Sequence, residues 1–227
     1  KLAVVSIPDD EDVYVDYGKF RTHRLEIQKI MPLSETETWE YLHENGADIT
    51  VFDNYVIRRA AAKGYLKLVK YLHKHGADIT ARDSHAVRCA AESGHLEVVK
   101  YLYENGADIT ADCNCAIRLA AEHGHLEVVE YLHKNGADIA AQDNDAVIYA
   151  ARNGYLEVVK YLYENGADIT DEDNLAIRYA AENGHLEVVK YLNEHGADIT
   201  AHDNYALYWA YANGHTDVVE YLQANMQ

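Results

Sequence analysis

Histidine and cysteine are the residues of this sequence whose chemistry would suit a metal ion. Thirteen histidines occur, and four of them follow a glycine at the same place in a recurring segment: His95, His125, His185 and His215. Two other copies of that segment carry tyrosine there, Tyr65 and Tyr155. Tyrosine would not replace a zinc-binding imidazole. We therefore expect these side chains to pack rather than to bind metal.

The three cysteines include a Cys-x-Cys pair, Cys113 and Cys115. A zinc site that joins this pair to His85 of the neighbouring copy is the alternative to a chance accumulation in variable turns. Structural zinc needs four ligands at about 2.0–2.3 Å, more than these residues supply. We expect no bound metal and no cofactor.

Residue patterns that support catalysis are absent from the sequence. It contains no His-Glu-x-x-His motif, no glycine-rich phosphate loop, no Gly-x-Ser-x-Gly turn and no paired-carboxylate signature. An enzymatic function therefore has no residues to support it, and we expect none.

The charge balance restricts the possible partners. The 227 residues carry a net charge of -18 at pH 7, which argues against nucleic acid and anionic membranes because both need a basic surface. Three cysteines form no disulfide framework, and the sequence contains no signal peptide or long apolar run, so we expect an intracellular, cytoplasmic protein. Because the chain begins at Lys1 rather than methionine, we expect it to be part of a longer product.

Glycines mark a repeat that must position all of these residues. Six Gly-Ala-Asp segments follow one another at one constant interval, with glycine at 46, 76, 106, 136, 166 and 196. Such a fixed period is typical of a solenoid. Each copy contains two short helical patterns that end at a glycine, as at Gly94 and Gly106, where a left-handed residue is wanted. One helix pair cannot bury its apolar stripe alone, so the copies must stack.

These residues resemble the ankyrin repeat. Ala90-Ala91, Gly94-His95 and Gly106-Ala107-Asp108 match the family pattern in order and spacing, and the match recurs over residues 34–227. The family period of about 33 residues is slightly longer than the interval between these glycines, so the resemblance implies shortened turns in place of the usual hairpin fingers. Copies shortened in this way look like the ankyrin families of giant DNA viruses of amoebae. The resemblance implies protein–protein interaction, with a host protein as one possible partner.

We predict an all-α solenoid of ankyrin-type helix pairs with a small N-terminal β cap. Residues 1–33 contain two or three strand patterns that we expect to cover the first repeat, with a half-ordered tail as the alternative. Residues 34–227 form the array: a half repeat at 34–52, with Ser34 and Glu37 as a capping box, five copies that start at 53, 83, 113, 143 and 173, and a truncated copy at 203.

Three arginines of the first helices have a glutamate four residues later: Arg88 with Glu92, Arg118 with Glu122, and Arg178 with Glu182. This spacing favours an i,i+4 ion pair, worth about 0.2–0.5 kcal/mol. The alternative is a row of arginines offered to an acidic partner.

Two positions vary strongly between copies, whereas the framework positions barely change. One reads Tyr, His, Cys, Asp, Leu, Tyr at the predicted turn, and the other reads Arg, Cys, Leu, Tyr, Tyr, Trp in the first helix. Because tyrosine, tryptophan and arginine are common interface anchors, we predict that the concave face binds a partner protein through these residues: Tyr55, His85, Tyr149, Arg152, Tyr179, Tyr205 and Trp209. For three of them, Tyr149, Tyr179 and Trp209, aromatic packing between first helices is the alternative. We expect a monomer, with self-assembly of the acidic solenoid as the second hypothesis.

Overall fold

The computed structural model describes residues 2–6, 14–16, 19–21, 26–31 and 35–226, with side chains from residue 35 onward except those of 51–53. Four short strands precede the helices: β1 (Leu2–Ser6), β2 (Tyr14–Asp16), β3 (Lys19–Arg21) and β4 (Glu26–Met31). β1 pairs with β4 and β2 with β3, both antiparallel. The prediction that this segment covers the first repeat concerns side chains outside the described residues and stays a prediction.

Each copy of the repeat contributes a first and a second helix. The first helices are α2 (Val51–Ala62), α4 (Ala81–Glu92), α6 (Ala111–Glu122), α8 (Ala141–Arg152), α10 (Asp171–Glu182) and α12 (Ala201–Ala212). The second helices are α1 (Thr36–Glu44), α3 (Leu66–Lys74), α5 (Leu96–Glu104), α7 (Leu126–Lys134), α9 (Leu156–Glu164), α11 (Leu186–Glu194) and α13 (Thr216–Asn225). Each first helix packs on its own second helix and on the neighbouring first helices. This confirms the predicted all-α solenoid.

The core repeats with the sequence. In α4 the small residues Ala90 and Ala91 are fully buried and allow neighbouring first helices to approach closely. In α5 the apolar stripe of Val99 and Leu102 is fully buried, and Ile109 of the following turn closes the copy. Because the same positions are buried in successive copies, one continuous apolar core runs through the stack.

The two glycines of each copy serve different purposes. Gly94 has a φ of +74°, and a Cβ built on it would lie 2.6 Å from Nδ1 of His125 in the next copy. Gly106 has a φ of +102° but nothing within 4 Å of such a Cβ. Both positions require the left-handed region that glycine enters most easily. Only Gly94 also makes room for a neighbour.

The turns between copies are short and left-handed. Arg82, Asp83 and Ser84 have φ values of 53°, 53° and 54°, and the same conformation recurs at 112–114, 142–144, 172–174 and 202–204. Within residues 35–226 these turns contain no strand, so the shortened turns replace the hairpin fingers. Asparagine and aspartate, which occupy many of these positions, tolerate this conformation better than most residues.

A ladder of asparagines joins successive turns, and sequence reasoning missed it. The side-chain oxygen at the third left-handed position accepts a hydrogen bond from the backbone N–H of the aspartate in the next Gly-Ala-Asp segment, at 2.8–2.9 Å: Asn54, Ser84, Asn114, Asn144 and Asn174. That aspartate in turn accepts hydrogen bonds from the threonine two residues on, as Asp108 does from Thr110 N and Oγ1 at 2.8 and 2.7 Å. The repeated letters GADIT therefore encode a hydrogen-bonded hinge.

The predicted capping box involves Ser34, which lies outside the described residues, so it stays a prediction. Among the described residues, helix α1 begins at Thr36 with Glu35 as its N-cap. At the other end, α13 continues to Asn225 because its sequence lacks the glycine that ends the other second helices. Asn225 Nδ2 donates to the carbonyl oxygen of Tyr221 at 2.7 Å.

Candidate functional site

All seven predicted site residues lie on first helices. We call the exposed surface of α2, α4, α6, α8, α10 and α12 the first-helix face. On it Tyr55 is half exposed and Arg152 is exposed, whereas the other five are partly buried. The structure brings the residues of the carboxyl-terminal copies together and leaves Tyr55 and His85 at the amino-terminal end of the stack.

Arginines and aromatic rings alternate in the carboxyl-terminal copies. The guanidinium carbon of Arg152 lies 5.4 Å from the ring centre of Tyr179, and that of Arg178 lies 4.4 Å from the ring centre of Tyr205. The ring centres of Tyr205 and Trp209 are 5.9 Å apart. Cation–π contacts of this kind hold the side chains in fixed positions. We call these five residues the aromatic cluster.

Tyr205 was predicted to lie in the turn, but the structure places it in α12 directly after the turn. It lies on α12 and is partly buried, and its hydroxyl donates a hydrogen bond to Oε2 of Glu182 at 3.0 Å. Burial, and then the hydrogen bond to the Glu182 carboxylate, raise the pKa of Tyr205. The left-handed turn ends one residue earlier, at Asn204, so the first turn of the helix carries Tyr205 toward Arg178.

Tyr149, Tyr179 and Trp209 do not stack on one another. Within residues 35–226 no ring contact joins any two of them, so the three rings form no common stack, and the alternative of packing between first helices stays a prediction. Tyr179 packs against the core and Arg152, and Trp209 contacts Tyr205 and Tyr208. The Asp145 carboxylate, followed by burial, raises the pKa of Tyr149.

At the amino-terminal end, Arg58 lies between Tyr55 and His85. Its guanidinium carbon is 5.8 Å from the ring centre of Tyr55, and its Nη1 is 3.3 Å from Nδ1 of His85. Burial, and then the charges of Arg88, Arg58 and Arg82, lower the pKa of His85. The neutral imidazole can accept a hydrogen bond from Arg58, so the two side chains hold each other in position.

The predicted i,i+4 ion pairs are wrong. Arg88 pairs instead with Asp112, and Nη1 of Arg118 donates to Oδ2 of Asp145 at 2.7 Å. Arg178 Nη1 lies 3.5 and 3.4 Å from the carbonyl oxygens of residues 172 and 173. Stacking places Asp112 beside Arg88 and Asp145 beside Arg118, whereas Arg178 contacts carbonyl oxygens of the turn at the start of its own helix. Arg88 and Arg118 therefore join one first helix to the next, α4 to α6 and α6 to α8, rather than forming a free row.

The glycine–histidine pairs are explained by packing. Nε2 of His125 lies 3.0 Å from the carbonyl oxygen of Glu92 in the preceding copy, and His185 makes the equivalent contact with Arg152 at 3.0 Å. Where tyrosine replaces histidine at 155, Asn153 Nδ2 donates to the carbonyl oxygen of Glu122 at 2.9 Å.

All three cysteines, Cys89, Cys113 and Cys115, are free thiols. Burial raises the pKa of the Cys89 thiol, so this side chain stays protonated at neutral pH. In the described part of the chain, no group of three or more His, Cys, Asp or Glu is placed to hold a metal ion.

Two exposed tyrosines were missed as site residues. Tyr208 is 64% exposed and Tyr211 is 76% exposed, both on α12. The five preceding copies have a fully buried or nearly fully buried alanine at the position of Tyr211: Ala61, Ala91, Ala121, Ala151 and Ala181. That change from alanine to tyrosine in the last copy is the signal that could have identified the exposed end of the stack.

A comparison with protein families gives the assignment. The family model described as ankyrin repeats matches three times, over residues 33–113, 111–173 and 170–227. The chain belongs to the ankyrin-repeat family. Ankyrin repeats are generally protein–protein interaction modules and are typically not enzymes. A search of curated proteins found no significant match. Among the described residues of this ankyrin-repeat protein, no helix has the length and apolar character needed to cross a membrane.

Proposed function

We propose that this ankyrin-repeat protein is a non-enzymatic scaffold that binds a partner protein through the concave, first-helix face. The observation that supports this most directly is the aromatic cluster of Arg152, Arg178, Tyr179, Tyr205 and Trp209. Tyr149 adds to it from α8, and Tyr55 and His85 extend the surface toward the amino-terminal end. Tyrosine, tryptophan and arginine dominate the energetics of protein interfaces.

The contacts within the cluster support binding because they hold the side chains before a partner arrives. Arg178 is 9% exposed and lies over Tyr205, and Glu182 accepts a hydrogen bond from the same tyrosine. Ordering a flexible side chain on binding costs about 0.5–1.5 kcal/mol. Pre-ordered side chains avoid much of that cost.

The cellular setting is part of the proposal. The likeness of the shortened copies to those of giant viruses suggests a host protein as the partner and the host cytoplasm as the location. We propose a monomer, since the scaffold needs only one chain to present the first-helix face.

Self-assembly is the second candidate, and Tyr211 is the observation in its favour. Its position is buried by the next copy in every preceding repeat, whereas in the last copy it is 76% exposed. A second chain could cover this end. Sedimentation equilibrium at micromolar concentration separates the candidates, since a defined oligomer would support assembly and a monomer would support the scaffold.

The binding proposal is tested by substitution on the two sides of the solenoid. A partner captured with the full chain is measured by calorimetry against Tyr179→Ala, Tyr205→Ala and Trp209→Ala, and each change should weaken binding by about 2 kcal/mol. Tyr205→Phe, which keeps the ring on Arg178, should lose less. The control is Glu187→Lys on α11, where Glu187 is exposed and pairs with Lys190.

For the proposal to stand, the control variant must bind the partner more tightly than the three test variants do. Glu187→Lys should leave both affinity and helicity unchanged. If Glu187→Lys abolished binding and the three first-helix variants did not, the second-helix side would be the binding surface and the proposal would be overturned.

A further inference from the structure

The first complete copy of the repeat differs from all others in charge. Residues 53–82 contain seven basic and two acidic residues: Arg58, Arg59, Lys63, Lys67, Lys70, Lys74 and Arg82, against Asp53 and Asp78. Every other copy has more acidic than basic residues, for example six acidic and two basic in residues 83–112. A compact basic region therefore lies within a chain whose net charge is -18.

One position accounts for part of the difference. Glutamate at the second residue of the second helix forms an ion pair with the lysine three residues on, as Glu97 does with Lys100 at 2.8 Å and Glu157 with Lys160 at 2.7 Å. In α3 this glutamate is replaced by Lys67, so Lys67 and Lys70 are like charges on one helix face. Such a pair is destabilising by a few tenths of a kcal/mol. The first copy thus lacks the ion pair that α5, α9 and α11 have.

A groove of about 370 Å³ opens beside this basic region, at the amino-terminal end of the stack. Its lining includes Trp39, Tyr55, Arg59, Lys63 and Tyr65. Tyr55 is 50% exposed and Tyr65 is 37% exposed. The groove lies between α1, α2 and α3, because no first helix precedes α1 among the described residues to cover that edge of α2.

The cations around the groove are available. Arg59, Lys63 and Lys67 are exposed, and none of them has an ion pair or hydrogen bond within residues 35–226. Arg88 and Arg118 farther along the stack are paired with aspartates instead. Arg59, Lys63 and Lys67 are thus a group of exposed cations at the amino-terminal end of the stack.

We propose that this groove binds a short acidic segment of a partner protein, with aromatic or apolar side chains among its carboxylates. The carboxylates would contact Arg59, Lys63 and Lys67, and the apolar side chains would lie against Tyr55 and Tyr65. A long polyanion such as nucleic acid fits poorly, because the basic region spans one copy and the neighbouring copies would repel it. The site is separate from the aromatic cluster, at the opposite end of the stack.

The test uses the full chain and a fluorescent peptide in which glutamates surround two tyrosines. Anisotropy should show binding that a peptide with glutamine in place of glutamate does not reproduce. Lys67→Glu, which restores the residue of the other copies, should weaken binding about five-fold, near the upper end for one exposed charge contact. Arg59→Gln with Lys63→Gln should weaken it further, and added salt should affect this variant less than the unaltered chain.

A matched control separates a site from general charge attraction. Lys134→Glu makes the same change of charge on an exposed side chain two copies away, and it should alter affinity less than two-fold. Equal losses for Lys134→Glu and Lys67→Glu, or equal binding of the glutamine peptide, would overturn the proposal.

Two further outcomes identify other occupants. Self-association of the free chain that Lys67→Glu abolishes would assign the groove to a second copy. Protection of Lys63 and Lys67 from acylation in the free monomer would assign it to residues 1–34 of the same chain. Either result would overturn the proposed partner segment.

Discussion

The second helices of successive copies are nearly identical, whereas the first helices differ at the positions that face outward. α5 and α9 share the sequence LEVVKYLYE. α4 and α8 share four buried residues, Ala86, Val87, Ala90 and Ala91 in α4, and few of their exposed ones. Each kind of helix buries the same positions in successive copies, so packing accounts for the residues that stay constant at those positions. The variable positions of the first helices are free of that constraint, which is why they are the better candidates for recognition.

The largest expected effect on stability comes from a buried residue that is constant in the second helices. Leu132 of α7 is fully buried, and replacing it with alanine leaves a cavity that the stacked neighbours cannot fill. We expect Leu132→Ala to lower the free energy of unfolding by about 2–5 kcal/mol, measured by urea denaturation. Tyr149→Ala, at a variable position of a first helix, should lower the free energy of unfolding clearly less. A larger loss for Tyr149→Ala would contradict the division between constant buried positions and variable first-helix positions.

Gly94 and Gly106 allow a second comparison, between a glycine that a neighbouring copy packs against and one that has open space around it. Both Gly94→Ala and Gly106→Ala force a left-handed alanine, at a cost of about 1–2 kcal/mol. Gly94→Ala also brings the new methyl group within 2.6 Å of His125, so it should lower the thermal midpoint further than Gly106→Ala. Combining Gly94→Ala with His125→Ala should remove the steric part of the loss. No rescue in this double variant would show that the close approach is unimportant.

The asparagine ladder provides a prediction with an internal control. Asn144 accepts a hydrogen bond from Asp168 N at 2.9 Å and donates one to Oδ2 of Asp171 at 2.7 Å. Asn204 has the same left-handed conformation, with a φ of 61°, but no further Gly-Ala-Asp segment packs on it among the described residues. We expect Asn144→Ala to cost about 1–3 kcal/mol because buried polar groups lose their partners. Asn204→Ala should cost only backbone strain, and equal losses in urea melts would argue against the ladder.

Periodicity was enough to predict the helix pairs, their glycine ends and the solenoid, because each depends on contacts that recur in every copy. It was not enough for contacts that join one first helix or turn to the next along the stack. The arginine partners were mistaken because Arg88 and Arg118 bind aspartates of the following first helix, 24 and 27 residues on, rather than the glutamate one helical turn away. The ladder was missed for the same reason, since Asn54 and Asp78 are 24 residues apart in the chain. Tyr205 was misplaced because the left-handed turn ends one residue before it.

Histidine gives the smallest expected effect, and it concerns pH. Burial lowers the pKa of His185 from its ordinary value of 6.5, and burial with the neighbouring arginines lowers that of His85. The folded state therefore favours the neutral imidazoles, while the unfolded chain takes up protons first as the pH falls. Stability that is present above pH 6.5 should be lost as the pH falls toward the lowered pKa values.

The hinge aspartates act in a different pH range. Hydrogen bonds from the threonines lower the pKa of Asp78, Asp108 and Asp168 from 3.8. Their contribution to the stability of the fold should therefore be lost only as the pH falls below 3.8.

A substitution taken from the chain itself tests the histidine contribution. His185→Tyr introduces the residue found at Tyr155. It keeps a ring packed on Gly154 of the preceding copy and removes the titrating imidazole. Thermal melts followed by circular dichroism at pH 7.5 and 5.5 should show a smaller shift of the midpoint for His185→Tyr than for the unaltered chain. His195→Asn is the control, because His195 is exposed and its equivalents at 105, 135 and 165 are asparagines. A pH shift reduced as much by His195→Asn as by His185→Tyr would show that burial in the stack is not the cause.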